Sequence, residues 1–229
     1  KGGSMHMFSR EKGFYGGHGI VGAQVSLGAG LAFANWYRET DNVALAYFGE
    51  GASNQGQVYE SLNLAALLKL PCIFIIENNK YGMGTSVDRA SASKDLSKNG
   101  APWGIPGEAV NGMDVIAVKE AGERAVAHCR AGNGPYLLEM KTYRYRGHSM
   151  SDPAKYRTRE EVQKMREQND CIETARRLLL EGYGVAEAEL KVIDDEVKAI
   201  VQDSADFAQT SPEPDEAELW TDVLLEKAR

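Results

Sequence analysis

The sequence predicts an α/β fold: a mainly parallel sheet with helices on both faces, followed by a carboxyl-terminal helical extension. Three observations carry that expectation. Residues 43–48 (VALAYF), 72–76 (CIFII) and 136–140 (YLLEM) are short, nearly continuous apolar runs, as expected of strands covered on both faces. The stretches between them carry apolar residues at helical spacing, which suits parallel strands joined by helical crossovers. Polar groups stand just past the first two runs: Glu50 after one, and Glu77, Asn78 and Asn79 after the other. If those strands are parallel, both polar sets reach one carboxyl edge, where open α/β sheets bind ligands.

The elements follow in order. Residues 1–22 form a glycine-rich loop in which Gly17-x-Gly19-x-x-Gly22 matches a dinucleotide fingerprint. Its context fails that reading, because residues 9–13 before it are not a strand and Asp41 precedes the next strand rather than following it. His18 reads as a loop histidine. Residues 23–37 are a helix rich in small residues, suited to a crowded interior or a subunit contact. Gly49-Glu50-Gly51 breaks the first strand, and a helix follows with Val58, Leu62, Ala65 and Ala66 near one face, stopped by Pro71. Residues 81–106 are expected to be long and irregular, functional or partly mobile. Residues 115–118 read as a strand and 119–130 as a helix carrying Ala121, Val126 and Cys129. The strand at 136–140 exits into TYRYRGHSMSDPAKYRTR. Residues 158–182 and 185–209 read as two long charged helices, the second with a buried stripe of Leu190, Ile193, Val197 and Ile200. SPEPDEAELW is a turn-rich linker into the tail 221–229. No internal repeat is evident, and the expected organisation is an α/β domain over 1–158 with an extension over 159–229 packed on it.

Composition narrows the function classes. With 229 residues and 43% hydrophobic content the chain can bury one substantial core. A formal charge of −7 argues against a general nucleic-acid binder, although Lys and Arg concentrate in 141–159. Cys72, Cys129 and Cys171 lack CxxC spacing and are odd in number, which reads as reduced structural thiols in a cytosol-like compartment. No apolar run approaches the roughly 20 residues of a membrane helix.

The two polar strand exits carry specific chemistry. A carboxylate, an amide oxygen and a nearby backbone carbonyl are hard ligands, and Mg²⁺ takes few of them, completing its shell with water and phosphate. Gly49 and Gly51 let backbone approach a diphosphate closely, and the turn into the next helix offers N–H groups. Arg144 follows a buried strand on the same edge and forms forked bonds to phosphate. His148, four residues on, carries an imidazole, a side chain suited to proton handling.

At these residues the chain resembles a known family. Thiamin-diphosphate enzymes share a GDG…NN signature, which Gly49-Glu50-Gly51 and Asn78-Asn79 fit in spacing. The wording GEGASNQGQVYESLNLAALLKLP, ENNKYGMGTS and YR-x-x-GHSMSDP resembles the α subunits of pyruvate dehydrogenase E1 components, in the thiamin-diphosphate-dependent 2-oxo acid dehydrogenase family. The resemblance implies a thiamin-diphosphate-binding fold and oxidative decarboxylation of pyruvate, with acetyl passed to the lipoyl group of the E2 acyltransferase for acetyl-CoA synthesis after glycolysis. It implies thiamin diphosphate and Mg²⁺ as cofactors. Glu50 and Asn79 would ligate the metal through their side chains and Tyr81 through its carbonyl. Gly49, Gly51, Ala52 and Arg144 would hold the diphosphate, the backbone of Gly19 and Val21 would face the aminopyrimidine, and His148 would act near the reacting carbon. The carboxylate for the aminopyrimidine would come from an E1 β subunit, giving an α2β2 heterotetramer. Serines such as Ser149 and Ser151 are kinase targets in eukaryotic relatives. Three departures stand out: Glu50 where the family has Asp, Ser26 where it often has Pro, and Cys171 where Pro usually follows Asp170. A branched-chain 2-oxo acid or acetoin dehydrogenase α subunit, and a catalytically silent scaffold, stay open as alternatives. Against the family pattern the opening KGGSMHMF reads as neither a start nor a targeting segment, so the chain is expected to begin inside the domain, without an upstream Tyr-Arg motif. Bacterial cytoplasm is the expected location, or the mitochondrial matrix for a eukaryotic chain.

Overall fold

Gly22 takes a left-handed conformation (φ 84°) and turns the chain into helix α1, Ala23–Tyr37. The computed structural model describes residue 3 and residues 5–221. The small residues of α1 let it lie almost on the backbone of strand β1, Ala44–Gly49: a Cβ added at Gly28 would stand 2.6 Å from the Ala46 Cβ. Ala44, Ala46 and Phe48 are buried, whereas Leu45 and Tyr47 are about half exposed. The expected burial of β1 on both faces therefore fails, because β1 is the edge strand of the sheet.

Helix α2, Gly56–Leu67, buries Val58, Ser61, Leu62 and Ala65. Lys69 turns left-handed (φ 50°), and after Pro71 strand β2, Cys72–Asn78, runs through the centre of the sheet. The segment expected to be irregular is locally ordered. It holds a two-stranded hairpin of β3, Tyr81–Gly82, and β4, Thr85–Ser86, a single turn α3, Val87–Ala90, and a 3-10 helix, Leu96–Trp103.

The next unit corrects the sequence reading. The strand is β5, Gly107–Asn111, and residues 115–118 are the first turn of helix α4, Val115–Arg130. Asp114 caps that helix, its Oδ1 accepting from the Ile116 and Ala117 N–H groups at 2.9 and 3.2 Å. A capped helix start outweighs the β preference of a short VIAV run. Strand β6, Tyr136–Lys141, lies between β2 and β5, giving the order β1-β2-β6-β5, with every neighbouring pair parallel. Helices cover both faces as expected. Phe74, Ile76 and Leu137 pack on the α1–α2 side, and Ile75, Leu138, Ala121 and Ala125 on the α4 side. Each such large apolar side chain contributes about 1.5–3 kcal/mol relative to exposure.

Helix α5, Arg159–Asn169, is capped by Thr158 and ends at Asp170, whose backbone is extended. Asp170 Oδ1 accepts from the Ile172 and Glu173 N–H groups and starts α6, Cys171–Arg177, followed by a π turn, Leu178–Gly182. The single helix expected over 158–182 is therefore broken at Asp170 without any proline. The chain forms two compact units, Lys1–Ala175 and Arg176–Arg229. In the second unit α7, Glu187–Thr210, is one long helix, started by Glu189 Oε2 accepting from the Ala186 N–H at 2.8 Å. No α7 residue is buried, and Ile193, Val197 and Ile200 are all more than half exposed, so the expected buried stripe is open among the described residues. A short 3-10 turn, Glu216–Leu219, lies within the predicted linker. The predicted tail lies, beyond Thr221, outside the described residues. Among the described residues no helix is long and apolar enough to cross a membrane.

Candidate functional site

The parallel register sets the site. Gly49 pairs with Glu77 across β1 and β2, so Glu50 and Asn78–Asn79 leave the sheet at one edge. Glu50 is buried, and its Oε2 accepts from the Asn79 N–H at 3.2 Å. Burial pushes this carboxyl above its ordinary range, opposed by hydrogen bonds from the Glu50 and Asn79 N–H groups and by the Arg144 charge. Ser53 Oγ donates to the Glu50 carbonyl at 2.6 Å and fixes the turn into the short 3-10 helix Ala52–Asn54. Gly51 and Gly82 touch: a Cβ on either would stand 3.3–3.4 Å from the other's Cα. The glycine turn after β1 therefore meets the hairpin after β2 backbone to backbone.

That hairpin presents oxygen atoms. Asn79 Oδ1 accepts from the Tyr81 N–H at 3.2 Å across a left-handed Lys80 (φ 75°). Arg144 reaches over from the end of β6. It donates to the Tyr81 carbonyl (3.3 Å), the Met83 carbonyl (2.6 Å) and the Tyr156 hydroxyl (2.7 Å). The structure thus brings together Glu50, Gly51, Asn79, Tyr81 and Arg144.

Among the described residues no direct hydrogen bond joins Gly19, Val21 or His148 to Glu50, Asn79 or Arg144. The Val21 carbonyl accepts from Gln57 Nε2 at 2.9 Å, which docks the glycine loop on the first turn of α2. His148 is exposed, and its N–H donates to Asp152 Oδ2 at 2.8 Å. Asp152 also accepts from the Tyr156 hydroxyl and the Ala154 N–H, and these bonds, led by that of His148, hold its carboxyl down to about 2. Asp152 and Tyr156 therefore connect the His148 loop to Arg144. Ser149 and Ser151 are exposed, their hydroxyls 3.1 Å apart.

Three contributors escape the sequence reading. Asp152 and Tyr156 look like turn residues, and Arg157 like part of a solvated basic run. Arg157 is in fact buried against the rings of Tyr81, Tyr143 and Tyr156, and donates to the Arg146 carbonyl at 2.7 Å. Its only signal in the sequence is the tyrosines on either side of Arg144 and before Arg157. A depression of about 620 Å³ lies elsewhere, lined by Trp36, Asp41, Lys69 and Arg130 among others, and contains none of these residues.

The donor set suits a hard cation. No group of three or more His, Cys, Asp or Glu side chains fit for a metal occurs among the described residues, so the set has one carboxylate and otherwise neutral oxygens. That is what Mg²⁺ shared with a phosphate ligand requires. The buried Glu50 carboxyl, raised by desolvation, is a group that a cation would stabilise. The touching glycines bring backbone rather than side chains together at this sheet edge, and Arg144 adds a forked cation beside them.

Residues 1–217 match the family described as "Dehydrogenase E1 component". The chain is 69% identical over 225 residues to the pyruvate dehydrogenase E1 component subunit alpha of Rhizobium meliloti, covering 98% of this chain and 65% of that protein. It is 57% identical over 227 residues to the subunit of that name from Zymomonas mobilis, covering 99% of this chain and 64% of that protein. To the mitochondrial subunit of Sminthopsis macroura it is 55% identical over 220 residues, covering 96% of this chain and 60% of that protein. The chain thus spans a little under two thirds of the length of these relatives. With the match running through both strand exits and the loop that carries Arg144, the chain belongs to the dehydrogenase E1 component family.

Proposed function

We propose that this chain is the α-subunit portion of a pyruvate dehydrogenase E1 component, acting in thiamin-diphosphate-dependent oxidative decarboxylation of pyruvate and acetylation of the lipoyl group of E2. The observation that carries the reading is the meeting of Glu50, Asn79, the Tyr81 carbonyl and Arg144 at one carboxyl edge of the parallel sheet. The names of relatives at 57–69% identity support the pyruvate substrate and the E1 assignment. Thiamin diphosphate, when bound, supplies the nucleophilic carbon and the electron sink that decarboxylation of a 2-oxo acid needs.

The residues of the chain then have distinct tasks. Glu50 and Asn79 hold Mg²⁺ through side-chain oxygens, and Tyr81 through its carbonyl. Gly49, Gly51 and Ala52 offer close backbone to the diphosphate, and Arg144 neutralises it. A bound diphosphate would compete with the Tyr81 and Met83 carbonyls for the Arg144 guanidinium. Gly19 and Val21 offer backbone groups to the aminopyrimidine from the loop docked on α2. His148 holds or moves a proton at the reacting centre, its loop ordered by Asp152. A β subunit supplies the missing carboxylate in an α2β2 assembly that docks on E2. The names of the Rhizobium meliloti and Zymomonas mobilis relatives support a bacterial cytoplasmic setting, with the mitochondrial matrix as the setting of a eukaryotic chain.

Calorimetric titration of thiamin diphosphate with Mg²⁺, on the full-length chain with its β partner, tests the reading. Saturable binding is expected. Glu50→Gln is expected to weaken it by at least about tenfold, since even supporting residues of metal sites cost 10–100-fold. Glu50→Asp should retain or improve binding. No binding by the unaltered protein would favour a silent scaffold, and an unchanged Glu50→Gln would overturn the metal assignment.

A further inference from the structure

We infer that Glu139 is a positioning residue for the cation site: it orients Asn78, and through Asn78 the turn that presents Asn79 Oδ1 and the Tyr81 carbonyl. The inference rests on the metal reading proposed above and extends it to a residue with no ligand role.

Glu139 lies in the middle of β6 and is fully buried. It is in register with Ile76 of β2, so Asn78, two residues further on, shares its face of the sheet. Glu139 Oε1 accepts from Asn78 Nδ2 at 2.7 Å, and Oε2 accepts from the Ser97 N–H at 3.2 Å. Both donors are neutral. Burying a carboxyl group carries a desolvation cost that an apolar residue of similar size would avoid. What the carboxylate adds is direction. Both its oxygens accept in the structure, so the Asn78 amide nitrogen faces it and Asn78 Oδ1 faces away. There Oδ1 accepts from the Lys80 N–H at 3.0 Å.

That bond closes the turn in which Lys80 is left-handed (φ 75°), a conformation a lysine keeps only when its surroundings hold it. The next residue is Tyr81, whose N–H goes to Asn79 Oδ1 and whose carbonyl meets Arg144. Two hydrogen bonds, Asn78 to Glu139 and Lys80 to Asn78, therefore hold the turn whose neighbouring residues carry Asn79 Oδ1 and the Tyr81 carbonyl. The competing account is that Glu139 only ties the Leu96–Trp103 turn to the sheet through Ser97.

The test is titration of Mn²⁺ as a spectroscopic stand-in for Mg²⁺, by electron paramagnetic resonance with thiamin diphosphate present, on the full-length chain assembled with its partner subunit. Glu139→Gln sets an amide donor against either Asn78 Nδ2 or Ser97 N–H. It is expected to weaken Mn²⁺ about tenfold, as loss of a supporting residue does, with kcat at saturating Mn²⁺ kept within about twofold. Asn78→Asp alone opposes two carboxylates and should weaken Mn²⁺ similarly. The double variant Glu139→Gln/Asn78→Asp reverses donor and acceptor while leaving Ser97 and Lys80 their acceptors. It should recover Mn²⁺ affinity to within about threefold, because residues in direct contact couple.

A lowered melting temperature with an unchanged Mn²⁺ midpoint in Glu139→Gln would overturn the inference. So would a double variant that folds and stays weak, which also decides the matter should Glu139→Gln fail to fold. Glu50→Gln in the same titration separates the two readings. An unchanged midpoint there overturns the metal assignment and this inference together, whereas loss there without loss in Glu139→Gln overturns this inference alone.

Discussion

Glu50 and Asp152 are both carboxylates near the same sheet edge, and their surroundings push them in opposite directions. Burial raises Glu50, while N–H and O–H donors, led by the His148 N–H, hold Asp152 at about 2. Asp152 is therefore the acid-sensitive element of the His148 loop. Its folded value lies below the ordinary 3.8, so its support is present above about pH 4 and is lost as the pH falls from there toward 2. Hydrogen exchange should show the His148 and Ala154 amides losing protection over that interval before the β2 amides do. Asp152→Asn should remove the pH dependence and leave both amides weakly protected at neutral pH. Equal protection in the variant would mean that the loop is held by other contacts, the Arg157–Arg146 bond first among them.

At the scale of elements, α1 packs closely on β1. Gly28→Ala would place a methyl group 2.6 Å from the Ala46 Cβ, so helix and strand must separate. Overpacking of this kind costs about 1–3 kcal/mol. At about 2–4 °C per kcal/mol for a chain of this size, the melting temperature should fall by several degrees. Gly30→Ala, on the same helix with open space around it, should leave stability unchanged or raise it through better helix propensity. A thermal melt of the two variants checks the contrast, and equal effects would show that α1 does not lie where the Gly28–Ala46 contact puts it. The α4 cap teaches a related lesson. VIAV has the composition of a strand, yet Asp114 satisfies two N–H groups at once and makes it a helix turn.

For the molecule as a whole, several apolar surfaces stand open. Leu45 and Tyr47 on β1, Phe33, Trp36 and Tyr37 on α1, and Ile193, Val197 and Ile200 on α7 are all well exposed. Scattered exposed apolar side chains are ordinary, but a strand face and a helical stripe are organised surfaces. Together with the absence of a proposed aminopyrimidine carboxylate among the site residues, they motivate a whole-protein prediction. The isolated chain with excess thiamin diphosphate and Mg²⁺ should show negligible pyruvate decarboxylation, and adding the β subunit should restore it. Robust turnover by the chain alone, measured as CO₂ release, would overturn the two-subunit reading.

Much of the fold and of the site is legible in the order of residues along the chain. The apolar runs at 72–76 and 136–140, the glycine break at Glu50 and the paired asparagines announce a parallel sheet with a polar carboxyl edge, because local pattern and turn chemistry are written in consecutive residues. Arg144 is placed by the same logic. What lies beyond sequence is whatever depends on neighbours distant along the chain. The strand order makes β1 an edge and leaves Leu45 and Tyr47 open, although VALAYF reads as a buried run. The register of β2 on β6 sets Glu139 beside Asn78, 61 positions apart in the chain, and gives a carboxyl in an apolar strand its hydrogen-bond partner at the strand exit. Folding Tyr81, Tyr143 and Tyr156 around Arg157 makes a buried post of what looks like surface charge. Pattern along the chain decides which residues form a strand or a helix, and only the tertiary pairing decides which face is covered and which polar groups meet.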